Sequence, residues 1–376
     1  VRGRHRAAVT AVFAVAGAAF ASVFARMADL QAQHGIDDGT LGLVLLAGAA
    51  ALMVSQPIGG ARAARRGSRQ LTVAGGLAHA TCVALPAIAP SPLLFGLAIV
   101  AMSSASGILD VSMNAQAIAV SERHPRPIFS SFHAAFSFGA LGGAAASSLA
   151  AGAGLSPATH LAITSGVLIC VLLAVRPGLL PDDADSSTDA ARFARPTRAL
   201  AALGALAFCA LLAEGAVGDW SAIYLDRETE AGGSLAALGL AAFSLTMGVG
   251  RLVADPLAER FGHVAVVRSG GLLAAGGLAL ALAGGTVATG IAGFTVMGAG
   301  LAGLFPLALN AATASGRATA PALAAVSTTG YAGFIAGPAL IGLLSDATSL
   351  PTALALVGLL CLAAAALAPA VRATSS

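Results

Sequence analysis

Residues 107–117, GILDVSMNAQA, set a carboxylate and an amide four residues apart inside a long apolar run. At helical spacing Asp110 and Asn114 share one face, and Ser103 and Ser106 extend the polar stripe backwards. Polar groups are costly in hydrocarbon and usually mark a pathway. A carboxyl there can gain and lose a proton, or it can bond a neighbouring helix. Coupling to protons needs an acid whose protonation changes which conformation is favoured. Asp110 is the first candidate for that role and Glu214, in another apolar run, the second. Counting from the start of its run, Asp110 is about 19 residues in, roughly 28 Å along a helix.

His133 can relay a proton or bind a solute, or it is a satisfied core histidine. Trp220 and Tyr224 sit one turn apart; they read first as an interfacial belt and second as an apolar face for a sugar ring. Tyr331 lies deeper, among Gly330, Gly333, Gly337 and Pro338, and is the better solute contact. Those glycines let a helix pack closely or bend.

These residues need a scaffold that crosses a membrane. Of 376 residues, 57% are hydrophobic and 10% charged, against the quarter charged of a soluble chain. The 46 glycines suit closely packed membrane helices. Apolar runs long enough to span recur at 7–25, 40–58, 70–89, 92–120, 128–152, 158–175, 199–224, 234–254, 264–284, 286–310, 320–344 and 350–370. With twelve alternating spans, eighteen of the 20 arginines fall on one side and only Arg26 and Arg227 on the other. The positive-inside rule makes the arginine-rich side cytoplasmic, with both termini there. No cleavable signal peptide is read at the start.

The stretch 176–198 carries Asp182, Asp183, Asp185 and Asp189 among serines, prolines and arginines. It reads as a solvated cytoplasmic linker rather than a metal site. The expectation is an all-α integral membrane protein of twelve transmembrane helices in two pseudo-symmetric six-helix bundles. Residues 1–175 and 199–376 form the two halves.

The halves repeat. Arg65, Gly67, Gly75 and Gly76 match Arg260, Gly262, Gly270 and Gly271 at an offset of 195 (260 − 65). Gly107 and Asn114 match Gly303 and Asn310 at 196 (310 − 114). These are the chain's two asparagines; as a pair they either hold neighbouring helices or contact a solute. Asp110 has no counterpart, because Pro306 stands in its place.

All 20 basic residues are arginine, so neither a P-loop nor a Schiff-base lysine is available. The motifs HExxH and GxSxG are absent, and the reading is not an enzyme. The net charge of +3 does not suggest nucleic acid. The four scattered cysteines form no CxxC pair and read as small buried apolar residues.

Twelve spans in two repeats, with a basic loop after the second and eighth, resemble the major facilitator superfamily. Its loop motif, G-x-L-A-D-R-x-G-R-R, is similar to DPLAERFG at 255–262, with Glu259 in the acidic place. The first-half copy, GARAARRGSR at 60–69, has Ala64 there instead. The resemblance implies a cytoplasmic gate built from Arg65, Gly67 and Arg69 facing Arg251, Asp255, Glu259, Arg260 and Gly262. A narrower resemblance to the fucose-permease-like branch rests on FSSFHAAFSF at 129–138, EGAVGDWSAIYL at 214–225 and GYAGFIAGP at 330–338. That branch's symporters carry an acid in the fourth span, which supports Asp110.

The expected activity is secondary transport by alternating access in a bacterial inner (plasma) membrane. It is uptake of a sugar-like or other polar solute with protons, by a monomer that needs no cofactor or metal. The solute contacts would be Asn114, His133, Asn310, Tyr331 and Trp220. The alternative is proton-driven efflux of drugs or metabolites. Against it, the fourth span has no arginine, and the fifth reads GALGGA without the proline of the efflux motif.

Overall fold

The computed structural model describes residues 2–124, 128–181, 198–314 and 319–372. The linker acids, Arg126 and Arg317 lie outside the described residues. Twelve helical segments are long and apolar enough to cross a membrane, and each coincides with one of the runs read from the sequence. Helices satisfy their own backbone hydrogen bonds, which is what a bilayer demands of a spanning segment. The fourth and seventh spans, Pro92–Glu122 and Arg198–Thr229, are the longest, at 31 and 32 residues.

One end of the bundle holds the start of span 1 and the end of span 6, where the His5 ring N–H donates to the Gly178 carbonyl at 2.7 Å. We call this the terminal end. At the other, distal end, a short helix, Met27–His34, follows span 1. His34 and Gln33 tie it to the carbonyls of Pro86 and Ala87 at the end of span 3. Both arginines that broke the charge pattern are at this end and both are ion-paired: Arg26 with Asp29 at 2.6 Å, Arg227 with Asp38 at 2.7 Å.

Within the first six spans, 1 packs on 5 and 2 on 4; within the last six, 7 packs on 11 and 8 on 10. The two sets meet through two seams, span 2 against 11 and span 5 against 8. At the terminal ends of spans 2 and 8, Gly67 and Gly262 take φ of +80° and +86°. A residue with a Cβ resists that region, so both repeats turn on a glycine at matched positions.

Spans 1 and 5 approach backbone to backbone. A Cβ built on Gly139 would run into the carbonyl of Ala14, and one on Gly17 into that of Phe136. Gly142, on the same helix, faces open space. Overpacking a tight contact costs about 1–3 kcal/mol or more. Gly139→Val is therefore expected to lower the Tm of the purified protein by several degrees, while Gly142→Val leaves it within error. Equal shifts in the two variants would contradict this packing.

Candidate functional site

Asp110 and Asn114 do share a face, and they touch. The Asn114 amide donates to the Asp110 carboxylate at 3.1 Å and to its carbonyl at 2.9 Å. Gln56, on span 2, donates to the other carboxylate oxygen at 3.0 Å. Asp110 thus ties span 4 to span 2 and is partly buried. Gln56 escaped the sequence reading; its signal was an amide inside an apolar run, 195 positions before Arg251 (251 − 56).

Arg251 is the principal correction. Its nearness to Asp255 in sequence put it in the loop gate. The helix runs unbroken over Gly232–Phe261, so Arg251 lies ten residues inside its end (261 − 251), roughly 15 Å at 1.5 Å per residue. There one guanidinium nitrogen binds both Glu214 oxygens, at 2.8 and 3.0 Å. The other donates to Ser137 on span 5 at 3.0 Å, crossing between the two sets of helices. A guanidinium in this setting requires such partners, because an unpaired buried charge is strongly destabilising.

Tyr331 completes the centre. It is 38% exposed, stands edge-on to Phe305 at 6.3 Å, and lies within electrostatic reach of Asp110, Glu214 and Arg251. His133 is wedged edge-on between Phe13 and Phe129, at 5.3 and 5.0 Å, with the charge of Arg251 reaching it. Spans 4, 5, 7, 8 and 11 therefore bring Asp110, His133, Ser137, Glu214, Arg251 and Tyr331 to one region.

Two expected solute contacts lie elsewhere. Asn310 is exposed and faces Asp255, 3.5 Å away, so it belongs with the loop motif. Trp220 is fully buried, and Tyr224 is 1% exposed with its hydroxyl donating to the Ala281 carbonyl at 2.7 Å. Neither forms an interfacial belt, and Trp220 offers no face to a solute in this conformation. Both aromatic rings pack on the inward side of a helix that is buried nearly all round. His79 is a core histidine, its ring N–H donating to the Met102 carbonyl at 3.2 Å.

The terminal-end motif is open. Arg65, Asp255, Glu259 and Arg260 are exposed, and among the described residues none is in an ion pair. Arg260 lies over the Phe261 ring, and Arg69 donates to the Arg176 carbonyl at 3.4 Å.

The distal end is closed instead. Asp38, 5% exposed, accepts both terminal nitrogens of Arg227 at 3.1 and 2.7 Å, the Gln31 amide at 2.7 Å and the Ser345 hydroxyl at 2.5 Å. The next backbone N–H, of Gly39, donates to Asp346 at 2.8 Å. One carboxylate thereby pins span 2 to spans 7 and 11. On the other seam, Ser234 donates to the Ser148 carbonyl at 3.1 Å.

The Major Facilitator Superfamily model matches residues 203–375. An MFS-type transporter of Yersinia pestis is 33% identical over 96% of this chain and 94% of its own length. The membrane protein MosC of Rhizobium meliloti is 30% identical over 92% and 85%. Among solved structures, the nucleoside transporter NupG overlays at a TM-score of 0.76 with 14% identity, covering 98% of this chain and all of that one. The fucose:proton symporter FucP of E. coli overlays at 0.62 with 17% identity, covering 96% and 97%.

The chain belongs to the major facilitator superfamily: it is a multi-pass membrane transporter of a small molecule, and not an enzyme.

The Ser148 and Ser234 hydroxyl oxygens are 3.5 Å apart across the distal seam. Cysteines at both places meet the reach of a disulfide. Ser148→Cys with Ser234→Cys is expected to cross-link under mild oxidation and to stop transport until reduced. Failure to cross-link in the membrane would contradict the closed distal end.

Proposed function

We propose that this protein takes up a small polar, sugar-like solute together with protons, by alternating access around the central region. The observation that carries the reading is the convergence of Asp110, Glu214 and Arg251 about Tyr331, with Ser137 reached across the seam. A partly buried acid, an amide and aromatic faces supply hydrogen bonds and stacking for a hydroxylated solute. Two proteins with the same fold, a fucose:proton symporter and a nucleoside transporter, are in keeping with such a cargo.

Within this reading Asp110 is the coupling acid. It is held by neutral amides, which tolerate either protonation state, whereas Glu214 is committed to Arg251. The Asp38 network is the distal gate, and the loop-motif charges close the terminal end in the opposite state. The arginine-rich terminal end faces the cytoplasm, residues 1–175 and 199–376 act as the two moving halves, and the linker 176–198 joins them on that side.

The test uses reconstituted vesicles containing a pH indicator and a panel of hexoses, polyols and nucleosides. One class is expected to drive proton entry, collapsing with a protonophore. Asp110→Asn is expected to reduce that flux to the level of empty vesicles while binding of the same solute persists. Wild-type proton flux in Asp110→Asn would overturn the coupling assignment, and flux driven outward only would favour efflux.

A further inference from the structure

Span 7 carries an acid that the central region does not use. Asp219 lies five residues beyond Glu214 (219 − 214) and eight before Arg227 (227 − 219). At 1.5 Å per residue that is roughly 7 Å from the central ion pair and roughly 12 Å from the distal gate. The side chain is 4% exposed.

Helical periodicity fixes its direction. Phe208, Leu212 and Gly215 contact Gly333, Gly337 and Phe334 of span 11. Asp219 continues that face at i+4 from Gly215. It therefore sits in the seam between spans 7 and 11, under the place where Asp38 fastens both.

Nothing among the described residues compensates its charge. The elements around span 7 carry Asp29, Asp38, Arg251, Tyr331, Asp346 and Cys361, and among the described residues none of them makes a hydrogen bond or ion pair with the Asp219 carboxyl. On its own helix, Glu214 is taken by Arg251 and Arg227 by Asp38. Asp110 has two amide donors, Glu214 a guanidinium and Asp38 a guanidinium, an amide and a hydroxyl; among the described residues Asp219 has none. A carboxylate left without any donor in an apolar seam is a costly arrangement, whereas the neutral acid is tolerated.

We propose that Asp219 is a proton-binding site on the distal side of the central region, loaded while the Asp38 gate is shut and exchanging with the distal solution when that gate opens. Loading forms an O–H bond from a hydronium ion of that solution and removes one negative charge; unloading breaks the same bond. The part this site plays in transport rests on the proton-coupled reading above, but the site itself can be tested without any solute.

The measurement is infrared spectroscopy of the full chain in phosphatidylethanolamine–phosphatidylglycerol vesicles, following the carbonyl stretch of a protonated carboxylic acid. At neutral pH the wild type is expected to show this band. Asp219→Asn loses it, Asp110→Asn keeps it, and Asp219→Glu, which preserves the acid if the amide variant fails to fold, shifts it. On transfer to heavy water the band is expected to move at least tenfold faster in Asp38→Asn than in the wild type. No band in the wild type, a band that survives Asp219→Asn, or equal exchange rates with the gate intact and broken would each overturn the proposal. Failed proton flux with these infrared results intact would instead remove only the transport reading.

Discussion

An ionised side chain among apolar helices is tolerable only where another group answers its charge, and the interior of this bundle is organised by that constraint. Arg251 answers Glu214 on the neighbouring helix and reaches Ser137 across the seam. Asp38 answers Arg227 and gathers two further elements, the short helix of Gln31 and span 11, around one carboxylate. These contacts are strong because water is excluded, and specific because each partner comes from a different helix. In the proposed alternating-access cycle they are also the contacts that must be made and broken. A conformational equilibrium biased by a few charged pairs responds to a proton or a solute that changes those charges.

Close packing makes the charges effective. Glycines at the crossings of spans 1 with 5 and 2 with 11 bring backbones together: a Cβ on Gly42 or Gly342 would meet the other helix's main chain. The seam is then narrow enough for a short aspartate on span 2 to reach spans 7 and 11. Small residues thus set the distance over which the polar groups act. Tight distal packing, with motif charges that form no ion pair among the described residues at the terminal end, defines a conformation closed on one side.

The spans were legible because length and hydropathy suffice to mark a helix that crosses a bilayer. The two arginines on the minority side were legible as exceptions, but their acids were not. Asp38 stands at a helix start, 189 positions from Arg227 (227 − 38), and no local pattern links them. Asp110 with Asn114 could be read, since i, i+4 contacts are local, whereas Gln56 is 54 positions away. Arg251 is misplaced by the linear motif because it lies one turn beyond the motif's reach, inside the unbroken helix Gly232–Phe261. The repeat held the correction, for its matched position carries the Gln56 that bonds Asp110. Trp220 misled for a different reason: periodicity gives the face of a helix but not how many neighbours cover it.

The central claim is that the two ends of the molecule open in alternation under control of the Asp38 gate. It is tested most directly by electron–electron distance spectroscopy with two spin-label pairs in the lipid-embedded protein. One pair, at Ala153 and Ala347, spans the distal seam; the other, at Arg62 and Arg268, spans the terminal end. Breaking the gate with Asp38→Asn is expected to lengthen the distal distance and shorten the terminal one in the same molecules. Unchanged distances, or two distances that lengthen together, would contradict the account.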